Sequence, residues 1–307
     1  MSNIQVQEIR VDDETTLQVL RHGVGQPSAL LLAGIHGGEK TGPELLHELS
    51  NQLASIEMRG RVSLLPIANP KTYAANQRIH PGDGLDLNRC FLGGVAPLDS
   101  PTGRLVAVIQ QLIAYHNLVI DIHTFPNQWA PVIGVALGDG IITIRQRSEA
   151  LLQIFSPETI WELDTRVDEP AKSGSACSYA LENGIMAFGL ELPPPEYYSK
   201  AHGIRTLNGL FRVLKEVGCI AVLPELAHVI PRYKRKLQRA LSDGIFVPQR
   251  QLSEAVVKGD ILGEFITTDG DISIVEAEFT GVVLTIAPRS QLQDGQKILA
   301  IGIPIQR

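Results

Sequence analysis

The sequence has 307 residues, of which 44% are hydrophobic and 20% are charged, a composition typical of a soluble globular protein with room for one large domain and a small one, or for two of medium size. The formal net charge of -6 argues against a nucleic-acid-binding role. The three cysteines are widely spaced and form no CxxC pair, which argues against a disulfide framework and against a cysteine-built zinc site.

The beginning of the chain, MSNIQVQEIRVDDETT, is polar and lacks the apolar core of a signal peptide. No apolar run approaches the roughly 20 residues that a membrane-spanning helix needs. We therefore expect a protein of the reducing cytoplasm that does not act at a membrane.

The N-terminal part of the chain predicts strands and helices in turn. Residues 3–22 alternate polar and apolar side chains, which is typical of an edge strand or hairpin. The apolar run at 28–35 predicts a strand buried on both faces, and the leucine spacing over 41–55 predicts a helix. A second strand is predicted at 60–70. The long loop that follows, 71–103, has a length that is usually functional or disordered.

The middle of the chain continues this alternation. Helices are predicted at 102–116, 148–155, 173–184 and 206–220, and strands at 117–125, 131–137 and 184–192. Strands that alternate with helices predict an α/β fold with a mixed, mostly parallel sheet flanked by helices.

The pattern changes after residue 235. The basic cluster RYKRK at 232–236 is predicted to be a solvated helix face or a linker. The pattern of the remaining residues predicts many short strands separated by Gly-Asp and Asp-Gly turns, without a helical period. We therefore expect an α/β domain over 1–235 and a small all-β domain of barrel-sandwich type over 236–307.

Polar side chains come at the carboxyl ends of three predicted strands, which is where ligands bind in open α/β sheets. His36 and Glu39 follow the first of these strands, His123 follows the second and Glu191 follows the third. Parallel strands end at the same edge of a sheet, so we expect these four groups to lie close together. The loop at 71–103 is expected to reach the same edge.

His36, Glu39 and His123 form a candidate metal site. Gly37 and Gly38 allow a tight turn, so that His36 and Glu39 can face one point. Two histidines and one glutamate leave a fourth position open for water, as hydrolytic zinc sites require. Each part also has a plainer interpretation: a glycine turn in which Glu39 complements a helix N-terminus, and a histidine that belongs to the core or to a cap.

Further groups lie beside that site. Asp121 can hydrogen-bond a ligand imidazole or a nearby backbone amide. Glu191, in FGLELPPP, can act as a general base or as a salt-bridged strand end. Arg78 and Arg89 suit a carboxylate or a developing oxyanion, although arginines in surface loops often have no such role.

The order of these motifs resembles that of the zinc carboxypeptidase superfamily and, within it, the succinylglutamate desuccinylase/aspartoacylase family. The motifs are AGIHGGEKTGPE, ANP, DLNRCF, DIHT and LELP, followed by the terminal β region. They extend over almost the whole chain. The ordered set is specific, whereas each motif alone is weak.

The resemblance implies a zinc-dependent deacylase that hydrolyses the amide bond of an N-acyl amino acid, with metal-bound water as the nucleophile. His36, Glu39 and His123 match the zinc ligands of the family, with one Zn²⁺ per chain. A zinc carboxypeptidase or another amidohydrolase that acts on small peptides is the alternative enzyme. A binding module with a structural or empty metal site is the alternative outside enzymes.

The resemblance also assigns the groups around the metal. Asn88 and Arg89 match the pair that holds the free carboxylate of the substrate. Arg78 matches the arginine that polarises the scissile carbonyl and stabilises the oxyanion. Glu191 matches the catalytic base. The expected partner is a small N-acyl amino acid, and the sequence is compatible with a homo-oligomer.

The selection of the acyl group is not carried over from the family. Arg166, Lys172 and Tyr179 are candidates, and an acidic acyl chain such as succinyl would require one of the two cations, Arg166 or Lys172. Tyr197 and Tyr198 are interpreted either as substrate contacts or as surface tyrosines. The β region resembles a lipoyl- or biotinyl-type domain, but EAEFTGVV contains no attachment lysine, so no covalent cofactor is expected. By the same resemblance, this region narrows the mouth of the active site.

Overall fold

The computed structural model describes residues 4–125, 130–163, 174–221 and 232–305. Its helices are α1 (Thr41–Leu53), α2 (Pro70–Ala75), α3 (Pro101–Ala114), α4 (Ile142–Phe155), α5 (Ala176–Glu182) and α6 (Lys200–Val217), with a 3₁₀ turn at Leu87–Arg89. In the part of the chain that the structure describes, no helix is both long and apolar enough to cross a membrane.

The strands fall into an N-terminal and a C-terminal group. The first group is β1 (Gln5–Arg10), β2 (Thr16–Gly23), β3 (Ser28–Ala33), β4 (Arg61–Leu65), β5 (Leu118–Thr124), β6 (Ile133–Leu137), β7 (Thr159–Leu163) and β8 (Met186–Leu192). The second group is β9 (Arg232–Arg239), β10 (Gly244–Pro248), β11 (Ala255–Val256), β12 (Ile261–Thr267), β13 (Ile272–Glu276), β14 (Gly281–Ile286), β15 (Ser290–Leu292) and β16 (Lys297–Pro304).

Among the described residues, twelve strands form one large sheet, in the order β1-β2-β4-β3-β5-β8-β6-β7-β9-β16-β14-β11. The central strands β4-β3-β5-β8 are parallel, whereas β6 runs antiparallel to β8 and parallel to β7. The remaining strands form a second sheet in the order β13-β12-β10-β15. The expected fold class, a mixed sheet flanked by helices with an all-β C-terminal part, is confirmed.

The central strands are apolar runs in the sequence because their residues are buried. Every residue of β3 is buried, as is usual for a parallel strand that is covered on both faces. Helices α1, α4 and α6 pack in one apolar core through Leu46, Leu152 and Leu210. Helices α3 and α5 pack in a second core through Ile109 and Ala180. The large sheet is therefore packed between two apolar cores.

Three local predictions differ from the structure. The segment 71–103 is not one loop, because it contains most of α2, the 3₁₀ turn and the start of α3. Strand β7 was not predicted, since five residues without alternation give little local signal. The cluster RYKRK is neither a helix face nor a linker: it lies in β9, where pairing with β7 and β16 outweighs its local charge.

The C-terminal strands continue the large sheet. β9 pairs in parallel with β7, with Trp161 opposite Tyr233, and it pairs antiparallel with β16. A third apolar core lies between these strands and the four-stranded sheet, and it includes Phe246, Phe265 and Leu299. The expected boundary between residues 235 and 236 falls within β9, and the division into two domains stays a prediction.

Candidate active site

The carboxyl ends of β3, β5 and β8 meet at one edge of the sheet. His36 follows β3, while His123 and Glu191 are the second-last residues of the paired strands β5 and β8. These two residues are direct register partners, so both side chains leave the same face of the sheet. They were expected just after their strands, but the pairing continues one residue further, to Thr124 and Leu192.

The turn between β3 and α1 brings His36 and Glu39 to one point. The Gly37 N–H donates to the Gln77 carbonyl at 2.8 Å, and a Cβ on Gly37 would lie 1.7 Å from the Thr72 carbonyl oxygen. Glycine is therefore required at residue 37. A Cβ on Gly38 would meet no atom closer than 4.0 Å, so only the first glycine of the pair is needed for close packing.

The predicted ligands converge in the structure. The Nδ1 atoms of His36 and His123 lie 2.6 and 2.8 Å from the two carboxylate oxygens of Glu39. One ligand atom from each of the three residues lies within 4.8 Å of the others. His36 and Glu39 are buried. Two imidazoles and a carboxylate that share a protected centre fit a divalent metal ion, and zinc prefers this donor set.

The other ring nitrogens face carboxylates. His36 Nε2 lies 3.0 Å from Asp86 Oδ1, and His123 Nε2 lies 2.9 Å from Asp121 Oδ2. Each Nε2–H can donate to its carboxylate, which leaves each Nδ1 for a metal. The contact of Asp121 with a ligand imidazole was one of two predicted alternatives. The equivalent contact of Asp86 was missed, although its DLNRCF motif was recognised.

The ionisable groups of the cluster shift one another's pKa values toward the charged forms. Burial raises the pKa of Glu39, but the imidazoles of His36 and His123 outweigh burial and hold the pKa well below its usual range. Burial lowers the pKa of His123, yet Asp121 and Glu39 raise it well above its ordinary value. The surroundings thus favour positive charge at the centre of the cluster, as a bound divalent cation supplies.

Arg78 reaches the cluster from the loop after α2. Its Nη2 lies 2.8 Å from Asp86 Oδ2, and its Nη1 lies 3.4 Å from His36 Nδ1 and 3.9 Å from Glu39 Oε1. The side chain is 49% exposed. Asp86 therefore holds the guanidinium at the mouth of the cluster, where a bound substrate can meet it.

Asn88 and Arg89 lie in the 3₁₀ turn of the same loop. The Asn88 amide is buried: its Nδ2 lies 3.3 Å from Asp121 Oδ2, and its Oδ1 accepts from the Ala176 N–H at 3.0 Å. Arg89 Nη1 donates to the Asn88 carbonyl at 2.7 Å. The turn is thereby fixed against both β5 and α5.

One small cavity, of about 130 Å³, brings the predicted site residues together. All of them line it, namely His36, Glu39, Arg78, Asn88, Arg89, His123 and Glu191. Its far side is formed by apolar residues of β6 and β7, including Val135 and Trp161, and by Arg235 and Lys297 from β9 and β16. The last two were missed by sequence reasoning, because their strands are far from the motifs.

The candidates for acyl-group selection have different positions. Tyr179 packs against one apolar core and Tyr198 against the other, and Tyr198 stacks on His202. Among the described residues that line the cavity, neither Tyr197 nor Tyr198 is present. Residues 166 and 172, also predicted as candidates, lie outside the described residues.

Solved structures share this fold along nearly the whole chain. An aspartoacylase family protein of Mesorhizobium loti aligns with a TM-score of 0.81 at 20% identity, covering 100% of this chain and 96% of its own. A succinylglutamate desuccinylase/aspartoacylase of Rhodobacter sphaeroides gives 0.82 at 20% identity, with 99% and 97% covered. The product-bound ectoine utilization protein EutE (DoeB) of Ruegeria pomeroyi gives 0.82 at 21% identity, with 99% of each chain covered. At these identities the likeness shows an aspartoacylase-type fold.

A sequence relative shares part of the chain. The N-alpha-acetyl-L-2,4-diaminobutyric acid deacetylase of Halomonas elongata is 36% identical over 107 residues, which are 34% of this chain and 30% of the relative. The sequence model of the succinylglutamate desuccinylase/aspartoacylase catalytic domain matches residues 25–217, a span that contains every predicted site residue. The chain therefore belongs to this family of deacylating hydrolases, and the resemblance seen in its motifs is confirmed.

Proposed function

We propose that this chain is a zinc-dependent deacylase that hydrolyses the amide bond between an acyl group and an amino acid. The convergence of His36, Glu39 and His123, with Glu191 in the same cavity, carries the proposal. Membership of a deacylase family supports amide hydrolysis. The name of the Halomonas elongata relative, a deacetylase of an acylated amino acid, supports the substrate class.

The metal ligands follow from the atoms that face one another. His36 and His123 would bind through Nδ1, and Glu39 through its carboxylate. When bound, zinc supplies a Lewis acid that polarises a carbonyl oxygen and lowers the pKa of water toward about 7. Asp86 and Asp121 keep the two imidazoles oriented by accepting from Nε2–H.

Glu191 is the proposed general base. Its pairing with His123 puts both side chains on the same face of the sheet, and its carboxylate lines the cavity. Glu191 takes a proton from the attacking water and then delivers it to the departing amine. One carboxylate can serve both steps because the proton stays at the same site between them.

Arg78 and Arg89 have proposed roles at two different groups of the substrate. Arg78, held by Asp86 at 2.8 Å, is positioned to stabilise the negative oxygen that develops on the scissile carbonyl. Asn88 and Arg89 are proposed to bind the free carboxylate of the amino acid, with Arg89 supplying charge-assisted hydrogen bonds. A small cavity with these groups suits one acylated amino acid better than an extended peptide.

We also propose that the reaction takes place in the cytoplasm. The three cysteines, Cys90, Cys177 and Cys219, are free and buried. Free thiols are typical of a reducing compartment. Homo-oligomerisation stays a prediction.

A substrate panel tests the proposed function. Zinc-loaded protein is incubated with N-acetyl and N-succinyl amino acids and, in parallel, with dipeptides, and the freed amine is quantified. We expect release from acylated amino acids and little or none from dipeptides. Preferential cleavage of dipeptides would identify a peptidase acting on small peptides. Absence of cleavage across the panel would contradict amide hydrolysis altogether.

A further inference from the structure

We infer that Asp83 is a positioning residue, whose carboxylate anchors the segment 76–90 to the N-terminus of α3. The inference rests on the proposed deacylase function and extends it to a residue away from the reacting groups. Among the described residues that line the cavity, Asp83 is not present. Its effect on the reaction therefore passes through the residues that it holds in place.

The segment 76–90 brings several groups to the candidate active site. It carries four residues that the proposed mechanism uses, namely Arg78, Asp86, Asn88 and Arg89. A tight turn at 80–85 separates the first of these from the other three. The turn is closed on itself, because the His80 N–H donates to the Leu85 carbonyl and the Gly84 N–H donates to the His80 carbonyl, both at 2.9 Å. The position of the turn therefore sets the positions of both halves of the segment.

The Asp83 carboxylate joins this turn to α3. Its Oδ2 accepts from the Thr102 N–H at 2.8 Å, and its Oδ1 accepts from the Thr102 hydroxyl at 2.9 Å. In the part of the chain that the structure describes, residues 79–85 make no other hydrogen bond to a different segment. The two bonds between Asp83 and Thr102 are therefore the polar link that holds the turn in place.

Helix α3 is a suitable anchor for the turn. Buried side chains such as Ile109 fix the helix in an apolar core. The first N–H groups of a helix have no partner within the helix, and they carry partial positive charge. The Ser100 hydroxyl accepts from the Gly103 N–H at 3.0 Å, whereas the Thr102 N–H is left for Asp83. The helix end thus holds its own cap and the turn through separate donors.

The environment of Asp83 strengthens the link. Its side chain is 11% exposed, and Thr102 is fully buried. Burial raises the pKa of Asp83, but hydrogen bonds from Thr102 and Leu85 outweigh burial and hold the pKa below its ordinary value. The carboxylate is therefore ionised, and hydrogen bonds to an ionised acceptor are about twice as strong as bonds between neutral groups.

Two variants weaken the link by different means. Asp83→Asn removes the negative charge and replaces one acceptor oxygen with a donor, while Thr102→Val removes only the hydroxyl donor. For the best substrate of the panel we expect kcat/KM to fall by about 10- to 100-fold in Asp83→Asn, since a misplacement of about 1 Å can cost about 10²-fold. A smaller fall is expected in Thr102→Val. Thr102→Ser keeps the hydroxyl and should retain wild-type kinetics.

Ser100→Ala is the matched control. It removes an acceptor from the same helix end but leaves the bonds of Asp83 intact. If Asp83 served only to stabilise α3, Ser100→Ala and Asp83→Asn would change kcat/KM alike. A positioning role predicts a fall in Asp83→Asn and near-wild-type kinetics in Ser100→Ala. It also predicts that Asp83→Asn discriminates less well between the N-acyl amino acid and its carboxamide, because Asn88 and Arg89 are proposed to bind the free carboxylate.

Hydrogen exchange of the zinc-loaded protein tests the anchor without turnover. Peptides that cover residues 78–90 should exchange faster in Asp83→Asn and Thr102→Val than in wild type, and Ser100→Ala should leave them unchanged. Faster exchange together with the selective fall in kcat/KM supports the inference. Unchanged exchange in Asp83→Asn would overturn it, and so would faster exchange with wild-type kinetics. A wild-type protein that cleaves no substrate would contradict the deacylase proposal, and the exchange rates would still decide whether Asp83 anchors the segment.

Discussion

His123 and Glu191 face each other directly across the parallel strands β5 and β8. The proposed metal ligand and the proposed base therefore belong to one rigid pair of strands instead of a mobile loop. Strand pairing fixes their separation before any substrate binds. Such pre-positioning lets a single carboxylate act on water and on the leaving amine without rearrangement.

Glu191→Gln should abolish most turnover while leaving the metal in place. Loss of a general acid–base group costs about 10²- to 10⁴-fold in rate, and glutamine preserves the shape of the side chain. The measurements are kcat on an N-acetyl amino acid and zinc per chain on the same sample. Unchanged turnover would remove Glu191 from the reaction, and loss of zinc would show that it acts on the metal.

Asp86→Asn should weaken zinc binding. Asp86 accepts from His36 Nε2–H at 3.0 Å and holds Arg78, and loss of such a partner typically costs about 10- to 100-fold in metal affinity. Competition with a chelator measures the affinity, and kcat should fall as well because Arg78 loses its anchor. The control is Asp99→Asn, which neutralises an exposed carboxylate of the same loop. Equal zinc affinity in wild type and Asp86→Asn would contradict this role.

The two glycines of the HGGE turn should respond differently to alanine. Gly37→Ala places a Cβ against the Thr72 carbonyl oxygen, whereas Gly38→Ala meets no atom within 4 Å except one at that limit. Overpacking of this kind typically costs about 1–3 kcal/mol, occasionally more. Denaturant midpoints of the two variants should therefore differ, with Gly37→Ala clearly less stable. Equal midpoints would show that the turn can shift to accept a side chain at residue 37.

A buried histidine remote from the proposed metal site should make stability fall in mild acid. His116 Nδ1–H donates to the Leu112 carbonyl at 2.6 Å, and its Nε2 accepts from the Ser63 hydroxyl at 2.9 Å. Burial lowers its pKa to about 4; Leu112 opposes the shift, while Arg61 and Arg21 add to it. The folded pKa is therefore below the unfolded value of about 6.5. The neutral form stabilises the fold fully above pH 6.5, and that contribution decreases as the pH falls toward 4.

The size of this effect can be measured by denaturant unfolding at pH 7.5 and pH 4.5. The folded and unfolded pKa values imply a loss on the order of 3 kcal/mol from His116 across this range. His116→Gln removes the titrating group, so its stability should depend less on pH between these two values, even if it is lower at pH 7.5. Identical pH dependence in wild type and variant would show that other groups govern the acid response.

The convergence of the three candidate metal ligands could be predicted from the sequence because their positions follow from strand direction. His36, Glu39 and His123 come at the ends of apolar runs, and parallel runs end together. Asp86 lies within the recognised motif DLNRCF, but its contact with His36 could not be predicted. The path of the loop depends on contacts between distant residues, such as that of Gly37 with Gln77.

The far side of the cavity could not be predicted in the same way. Arg235 lies in a run of basic residues that resembles a solvated segment, and only the pairing of β9 with β7 and β16 buries it. Lys297 reaches the cavity because β16 pairs with β9. These contacts join residues far apart in the chain, so the local sequence pattern and the local charge do not indicate them.

Zinc content per chain is the most direct test of the site formed by His36, Glu39 and His123. Elemental analysis after dialysis should find one zinc ion per wild-type chain and almost none in Glu39→Gln. Glu44→Gln, which neutralises an exposed carboxylate in the first turn of α1, should retain the ion. Wild-type protein that holds no zinc, or Glu39→Gln that holds as much as wild type, would contradict the proposed metal centre.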